Sequence, residues 1–176
     1  MERPTTAQEV RRIRSEEWRI LRKIRLEALA DAPGAFSTTL EDAQTYPDAI
    51  WQDRASKGAV GGSQATILAF DNGIAVGMAV GLLRAHISRD VAPIVSVFVS
   101  SGARRRGIGE RLMDEVEAWA RRNGAVTTSL WVAEANTAAR SFYQSRGYQS
   151  TSDRQQIAET PTGCEIRMVK NVSVQC

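Results

Sequence analysis

Val95-Ser96-Val97-Phe98-Val99, followed closely by Arg104-Arg105-Arg106-Gly107-Ile108-Gly109, decides the reading of this chain. The first run is rich in β-branched and aromatic residues and predicts a buried strand. Ile108 to Asn123 predicts a helix. Its apolar stripe is Ile108, Leu112, Val116 and Trp119, its last turn carries Arg121-Arg122, and Gly124 stops it. Three arginines and two glycines therefore sit where a helix begins. A helix N-terminus carries free N–H groups and partial positive charge, so it attracts phosphate. Glycines at 107 and 109 let an anion approach the main chain without a Cβ in the way. The arginines add mobile or bidentate donors. Together these features predict a pyrophosphate cradle.

The commonest phosphate loops do not fit it. A Walker loop needs Lys followed by Ser or Thr after its final glycine, and here Glu110-Arg111 follows Gly109. A dinucleotide fingerprint needs glycine or alanine where this chain has Leu112. A second segment narrows the reading. Val126 to Val132 predicts a strand, and Asn136 to Tyr148 a short helix closed by Gly147. Asn136 and Tyr143 are seven residues apart, two helical turns, and so share a face.

Arg104-x-x-Gly107-x-Gly109 resembles the acetyl-CoA pyrophosphate signature of the GNAT acetyltransferases, Arg/Gln-x-x-Gly-x-Gly/Ala. Asn136-x-x-Ala139-x-x-x-Tyr143-x-x-x-Gly147-Tyr148 resembles the second cofactor motif of the same superfamily. The resemblance covers residues of about 15–170 within a single domain spanning 1–176. It implies an α/β (α+β) fold. A mixed, mostly antiparallel sheet of six to seven strands would be flanked by about four helices and splayed between the fourth and fifth strands.

Composition agrees. A chain of 176 residues, 43% hydrophobic and 24% charged, suits one soluble domain with a sizeable core. No run of about 18 apolar residues occurs, and Met1-Glu-Arg-Pro-Thr-Thr is no signal region, so a cytoplasmic protein without a membrane segment is expected. Cys164, Cys176 and the single His86 offer no basis for a metal site or a disulfide framework. The net charge of +3 and pI near 9.2 would admit nucleic acid. Yet the only dense basic run is the cradle, and most of the aromatics fall on apolar stripes, so no nucleic-acid partner is expected.

The remaining elements follow from local signals. Residues 1–14 read as a polar lead-in or first strand. Ser15 suits an N-cap for a helix with Trp18, Leu21, Ile24 and Ala28 on one face, ending near Asp31 before Pro33-Gly34. Tyr46-Pro47 opens a second helix around Trp51. Val60-Gly-Gly-Ser is a connector. Ala65 to Phe70 and Ile74 to Leu83 form strands joined by Asp71-Asn-Gly73, a strong hairpin signal. Ala85 to Asp90 reads as loop and Pro161-Thr-Gly163 as a turn. Cys164, Ile166 and Met168 alternate with charged residues in a last half-buried strand.

The resemblance also implies chemistry. Main-chain groups of Val97, Phe98 and Val99 would pair with the pantetheine arm of acetyl-CoA as an added strand does. Arg104, Arg105, Arg106, Gly107, Ile108 and Gly109 would hold the pyrophosphate, with Asn136 and Tyr143 beside the arm. The Val99 N–H would stabilise the oxyanion. Tyr143 would act as general acid toward the departing thiolate, or else pack and orient the sulfur. Acetyl-CoA enters as co-substrate, with no metal. The general base is left open. Many relatives carry a glutamate near the start of the cofactor strand, whereas Ala92-Pro93-Ile94-Val95-Ser96 has no carboxylate. Glu41, Asp42, Glu134 or a water chain are the alternatives. Phe36, Thr38, Glu41, Tyr46 and Trp51 are expected around the acceptor. The reaction implied is direct attack of a primary amine, on a small molecule or peptide, in a ternary complex. A catalytically silent acyl-CoA-binding module is the alternative reading. A homodimer is compatible with this sequence.

Overall fold

A computed structural model of the chain describes residues 8–84, 88, 90–157 and 163–173. His86, Cys176, Pro161 and Thr162, each singled out in the sequence, lie outside the described residues.

The elements in chain order are β1 (Gln8–Arg12), α1 (Trp18–Asp31), α2 (Leu40–Thr45), α3 (Asp48–Val60), β2 (Gln64–Asp71), β3 (Ile74–Leu82), β4 (Val91–Val99), α4 (Ile108–Arg122), β5 (Thr127–Ala133), α5 (Thr137–Ser145), β6 (Gln149–Gln156) and β7 (Cys164–Asn171). One seven-stranded sheet runs β1-β2-β3-β4-β5-β7-β6. Every neighbouring pair is antiparallel except β4 and β5, which are parallel. This is the expected fold class, with five α-helices among the described residues rather than about four.

Alternation along β2 builds both cores. Ala65, Ile67 and Ala69 face α4, while Leu68 and Phe70 face α1 and α3. The β2–β3 turn has positive φ at Asn72 (50°) and Gly73 (79°), the conformation that the Asn-Gly pair favours in a two-residue hairpin. On β3, Gly77 and Gly81 flank Ala79 on the face toward α4. A Cβ on Gly81 would lie 2.5 Å from the Trp119 ring, so these small residues let the helix approach closely.

Several expectations need correcting. Ser15 does not cap α1. A 3₁₀ turn, Ser15–Glu17, precedes the helix, and the Glu17 carboxylate accepts from the Arg14 N–H at 2.8 Å. Glu17 also pairs with Arg11 at 2.7 Å, and that hydrogen bond holds its carboxyl below the usual range. A further short helix, α2, lies between the two predicted helices, capped by Thr39, whose side chain accepts from the Asp42 N–H. Strand β6 is an added edge strand whose residues are almost all exposed. Cys164 is exposed rather than half-buried. Val95 is 39% exposed, because β4 lacks a covering neighbour there.

Gly81→Ala should lower stability by about 1–3 kcal/mol, since Trp119 is fully buried and tied by its Nε1–H to the Gly61 carbonyl at 2.8 Å. Thermal denaturation of the two proteins checks this; an unchanged melting temperature would show that α4 can move away from β3.

Candidate functional site

The site begins where β4 and β5 part. They pair only over Val91–Pro93 and Thr127–Ser129, and pairing of β4 with β3 begins at the next residue, Ile94, opposite Gly81. Proline, which has no N–H, stands at this hand-over. Beyond it Ile94–Val97 and Leu130–Ala133 border a gap of about 110 Å³ in the middle of the sheet. The splay lies between the fourth and fifth strands, as expected.

The gap opens into a cleft of about 610 Å³ that reaches the N-terminus of α4. Val97, Phe98, Val99, Arg104, Arg105, Ile108, Gly109, Asn136 and Tyr143 all line it. Of the expected cofactor contacts, only Arg106 and Gly107 do not. The Ser100 N–H donates to the Val76 carbonyl at 2.8 Å, which makes Gly77 and Val99 the adjacent non-hydrogen-bonded pair. The N–H and C=O of Val99 are therefore turned from β3 toward the cleft.

The cradle is more braced than free. Arg104 donates through Nε to the Val99 carbonyl at 2.9 Å and pairs with Asp31 at the end of α1. Arg106 pairs with Asp71 at 2.7 Å. Arg105 has no ion-pair partner among the described residues and adopts φ 59° in the turn that precedes α4. Gly107 caps α4 at φ 75°, where a side chain would be strained. The first i−4 bond runs from the Arg111 N–H to the Gly107 carbonyl, so the N–H groups of Ile108, Gly109 and Glu110 precede the helical ladder. A Cβ on Gly109 would lie 3.3 Å from the Phe142 ring on the cleft wall. Free N–H groups, bare glycine backbone and one unpaired arginine suit a pyrophosphate.

Across the cleft, Asn136 caps α5, its Oδ1 accepting from the Ala139 N–H at 3.1 Å. Only its Nδ2 remains to donate elsewhere. Tyr143 is buried, with its ring edge-on to Phe142 and Tyr148. Its hydroxyl has no hydrogen-bond partner among the described residues, although it borders both the gap and the cleft. Burial pushes this phenol up to about 12, so it keeps its proton at neutral pH.

On the α1 and α3 side of β4 lies another cavity, of about 300 Å³. Val95 and Ser96 border both this cavity and the gap. Of the expected acceptor residues, Thr38 and Trp51 line the cavity and Phe36 lines the gap. Tyr46 packs on Trp51 behind it. Glu41 is exposed on the first turn of α2 and borders none of these spaces, and neither do Asp42 and Glu134. Sequence reasoning missed Arg25, Arg54 and Glu165. Arg25 follows Leu21 by one helical turn on an otherwise apolar face, and Arg54 follows Trp51 likewise, so a charge on a buried stripe was the available signal. Glu165 is the one carboxylate bordering the gap among the described residues, and its Oε2 accepts from Gln155 at 2.6 Å. No group of three His, Cys, Asp or Glu among the described residues is placed to hold a metal.

Residues 10–148 match the acetyltransferase (GNAT) family. The chain belongs to that family. An uncharacterized N-acetyltransferase of Methanocaldococcus jannaschii is 36% identical over 61 residues, a match covering 35% of this chain and 27% of that protein. Two solved structures share the fold at low identity. The PaiA N-acetyltransferase of Thermoplasma acidophilum, in complex with coenzyme A, has a TM-score of 0.74 and 17% identity over 94% of this chain and 99% of that one. YncA of Salmonella typhimurium, with its cofactor acetyl-CoA, has a TM-score of 0.78 and 15% identity over 97% and 96%.

Gly109→Asp should weaken acetyl-CoA binding by roughly a hundredfold or more, because it sets a carboxylate against the pyrophosphate and a side chain against Phe142. Arg105→Ala, which removes one exposed donor, should cost roughly tenfold or less. Calorimetry with acetyl-CoA ranks them; equal affinity in wild type and Gly109→Asp would remove the α4 N-terminus from the site.

Proposed function

We propose that this protein transfers the acetyl group of acetyl-CoA to a primary amine on a small molecule, by direct attack within a ternary complex. The observation that carries the reading is the placement of three features in one continuous space. These are the bare N-terminus of α4, the inward N–H of Val99 and the unpartnered hydroxyl of Tyr143.

Each group has a task in that reaction. Backbone of Val97 to Val99 binds the pantetheine amides along the unpaired edge of β4, while the N–H groups of Ile108 and Gly109, with Arg105, hold the pyrophosphate. Acetyl-CoA supplies the acyl carbon and its thiol as leaving group. The Val99 N–H donates to the acetyl oxygen as that oxygen gains charge. Tyr143 donates its proton to the sulfur as the C–S bond breaks. Arg104, locked between Val99 and Asp31, ties the end of β4 to α1 and fixes where the Val99 amide points. The amine gives up its proton to solvent and solvent reprotonates Tyr143, which closes the turnover; Glu165 is the carboxylate that borders the gap among the described residues.

The silent-module alternative rests on the missing carboxylate along Ala92–Ser96. Glu165, on β7 beside the end of β5, places an acidic group on the other side of the gap, and the open Tyr143 hydroxyl has no partner among the described residues to explain it.

Tyr143→Phe should lower kcat about a hundredfold, the lower end of general-acid effects because a thiolate is already a fair leaving group, with little change in acetyl-CoA affinity. A phenol raised to about 12 loses its proton only as pH rises toward that value. The wild-type kcat should therefore show no Tyr143-dependent fall between pH 7 and 10. Steady-state thiol release on the folded pair checks both; an unchanged kcat with chemistry rate-limiting would leave Tyr143 a packing residue.

A further inference from the structure

The 300 Å³ cavity beside β4 is cationic, not acidic. Among the described residues its only charged lining groups are Arg25 and Arg54, from α1 and α3. Arg25 donates through one terminal nitrogen to the Ser96 Oγ at 3.0 Å and stacks over the Phe36 ring at 4.4 Å. Arg54 stacks over Tyr46 at 5.1 Å and Trp51 at 5.3 Å. Neither has a carboxylate partner among the described residues. Trp51, on the same wall, is fully buried with an indole N–H that finds no acceptor.

Two guanidiniums converging on one cavity repel each other, and burial makes that repulsion costlier. Desolvation, then the neighbouring Arg54, pulls Arg25 down to about 10, so it still carries its charge at neutral pH. Aromatic faces offset part of that cost but leave the guanidinium edges unsatisfied. A planar anion between them would satisfy both forks. Ser96 and Val95 bound the gap as well, so a ligand anchored here would present its other end toward the acetyl site.

We propose that Arg25 and Arg54 form an anion subsite for the acceptor, which is therefore a small primary amine that also bears a carboxylate, as a free amino acid does. This rests on the transferase reading and names its substrate class. Glu41, expected around the acceptor, does not line this cavity.

The test compares thiol release from acetyl-CoA with a panel of free amino acids, their carboxamides and their decarboxylated amines. Wild type should prefer the free acid over its amide by roughly ten- to a hundredfold in kcat/KM, the worth of one or two charge-assisted hydrogen bonds. Arg54→Met keeps the packing stem and removes the charge, so it should shrink the preference to within a few-fold. Arg54→Lys should retain much of it. Preference for the amide or the decarboxylated amine in wild type would overturn the subsite. If no amine is acetylated, saturation-transfer NMR on coenzyme A-saturated protein separates the two readings. Binding of the free acids but not the amides, lost in Arg54→Met, upholds the anion subsite while the transferase reading fails. Equal binding of both, or of neither, overturns the subsite. Should Arg54→Met melt below the assay temperature, the wild-type preference alone decides.

Discussion

The whole arrangement depends on interrupting a β-sheet in its middle. A parallel pair that stops after three residues leaves backbone donors and acceptors of β4 without strand partners where a sheet is normally best satisfied. That is tolerable only if the rest of the sheet is held independently. On one side β1 to β4 form an antiparallel set clamped between α4 and the α1–α3 layer. On the other, β5 pairs with β7 along its full length, and Glu117, buried on α4, takes Lys170 at 2.6 Å and the Tyr148 hydroxyl at 3.1 Å. The two halves are joined by Val91–Pro93 and by α4, and the opening between them is the site.

Charge is distributed to match. The helix dipole and the exposed Arg105 make the mouth of the cleft positive, while Arg104 and Arg106 are spent on Asp31 and Asp71. An arginine paired with a carboxylate contributes little net field but fixes geometry. Two of the three arginines thus shape the loop, and the proposed pyrophosphate contacts fall to backbone and a single side chain. That division explains how the Gly107 cap and the positive φ of Arg105 persist in a segment with no β-ladder or helix of its own.

Elements governed by strong local signals were legible in the sequence. The Asn72-Gly73 hairpin, the α4 stripe and its glycine stop, and the Asn136-to-Gly147 helix all follow from chemistry confined to a few residues. Strand β6 was not, because Gln149–Gln156 is nearly all polar and its pairing is dictated by β7 rather than by its own pattern. The exposure of Val95 was hidden for the converse reason. Its composition is that of a buried strand, and only the departure of β5 uncovers it. Arg25 and Arg54 escaped because amphipathic reading treats an isolated arginine as surface, and nothing local shows that two helices bring such residues to one cavity.

Ser96 links the strand kink to the cationic cavity. It has φ 57° and, with Val97, faces a single β3 position, Ala79, so β4 carries one extra residue there. Upstream, Val95 opposes Val80; downstream, Val99 opposes Gly77. Counting back from the Ser100-to-Val76 bond, Val95 falls in a hydrogen-bonded pair and Val99 in a non-hydrogen-bonded one. Four residues apart on a regular strand, the two would point the same way. The extra residue reverses the alternation and directs the Val99 N–H into the cleft rather than into β3. A non-glycine residue in this conformation needs outside support, and Arg25 gives it through the Ser96 hydroxyl at 3.0 Å. The guanidinium that faces the proposed acceptor cavity thus also holds the backbone kink that aims the proposed oxyanion donor, so α1 would shape both ends of the proposed reaction path.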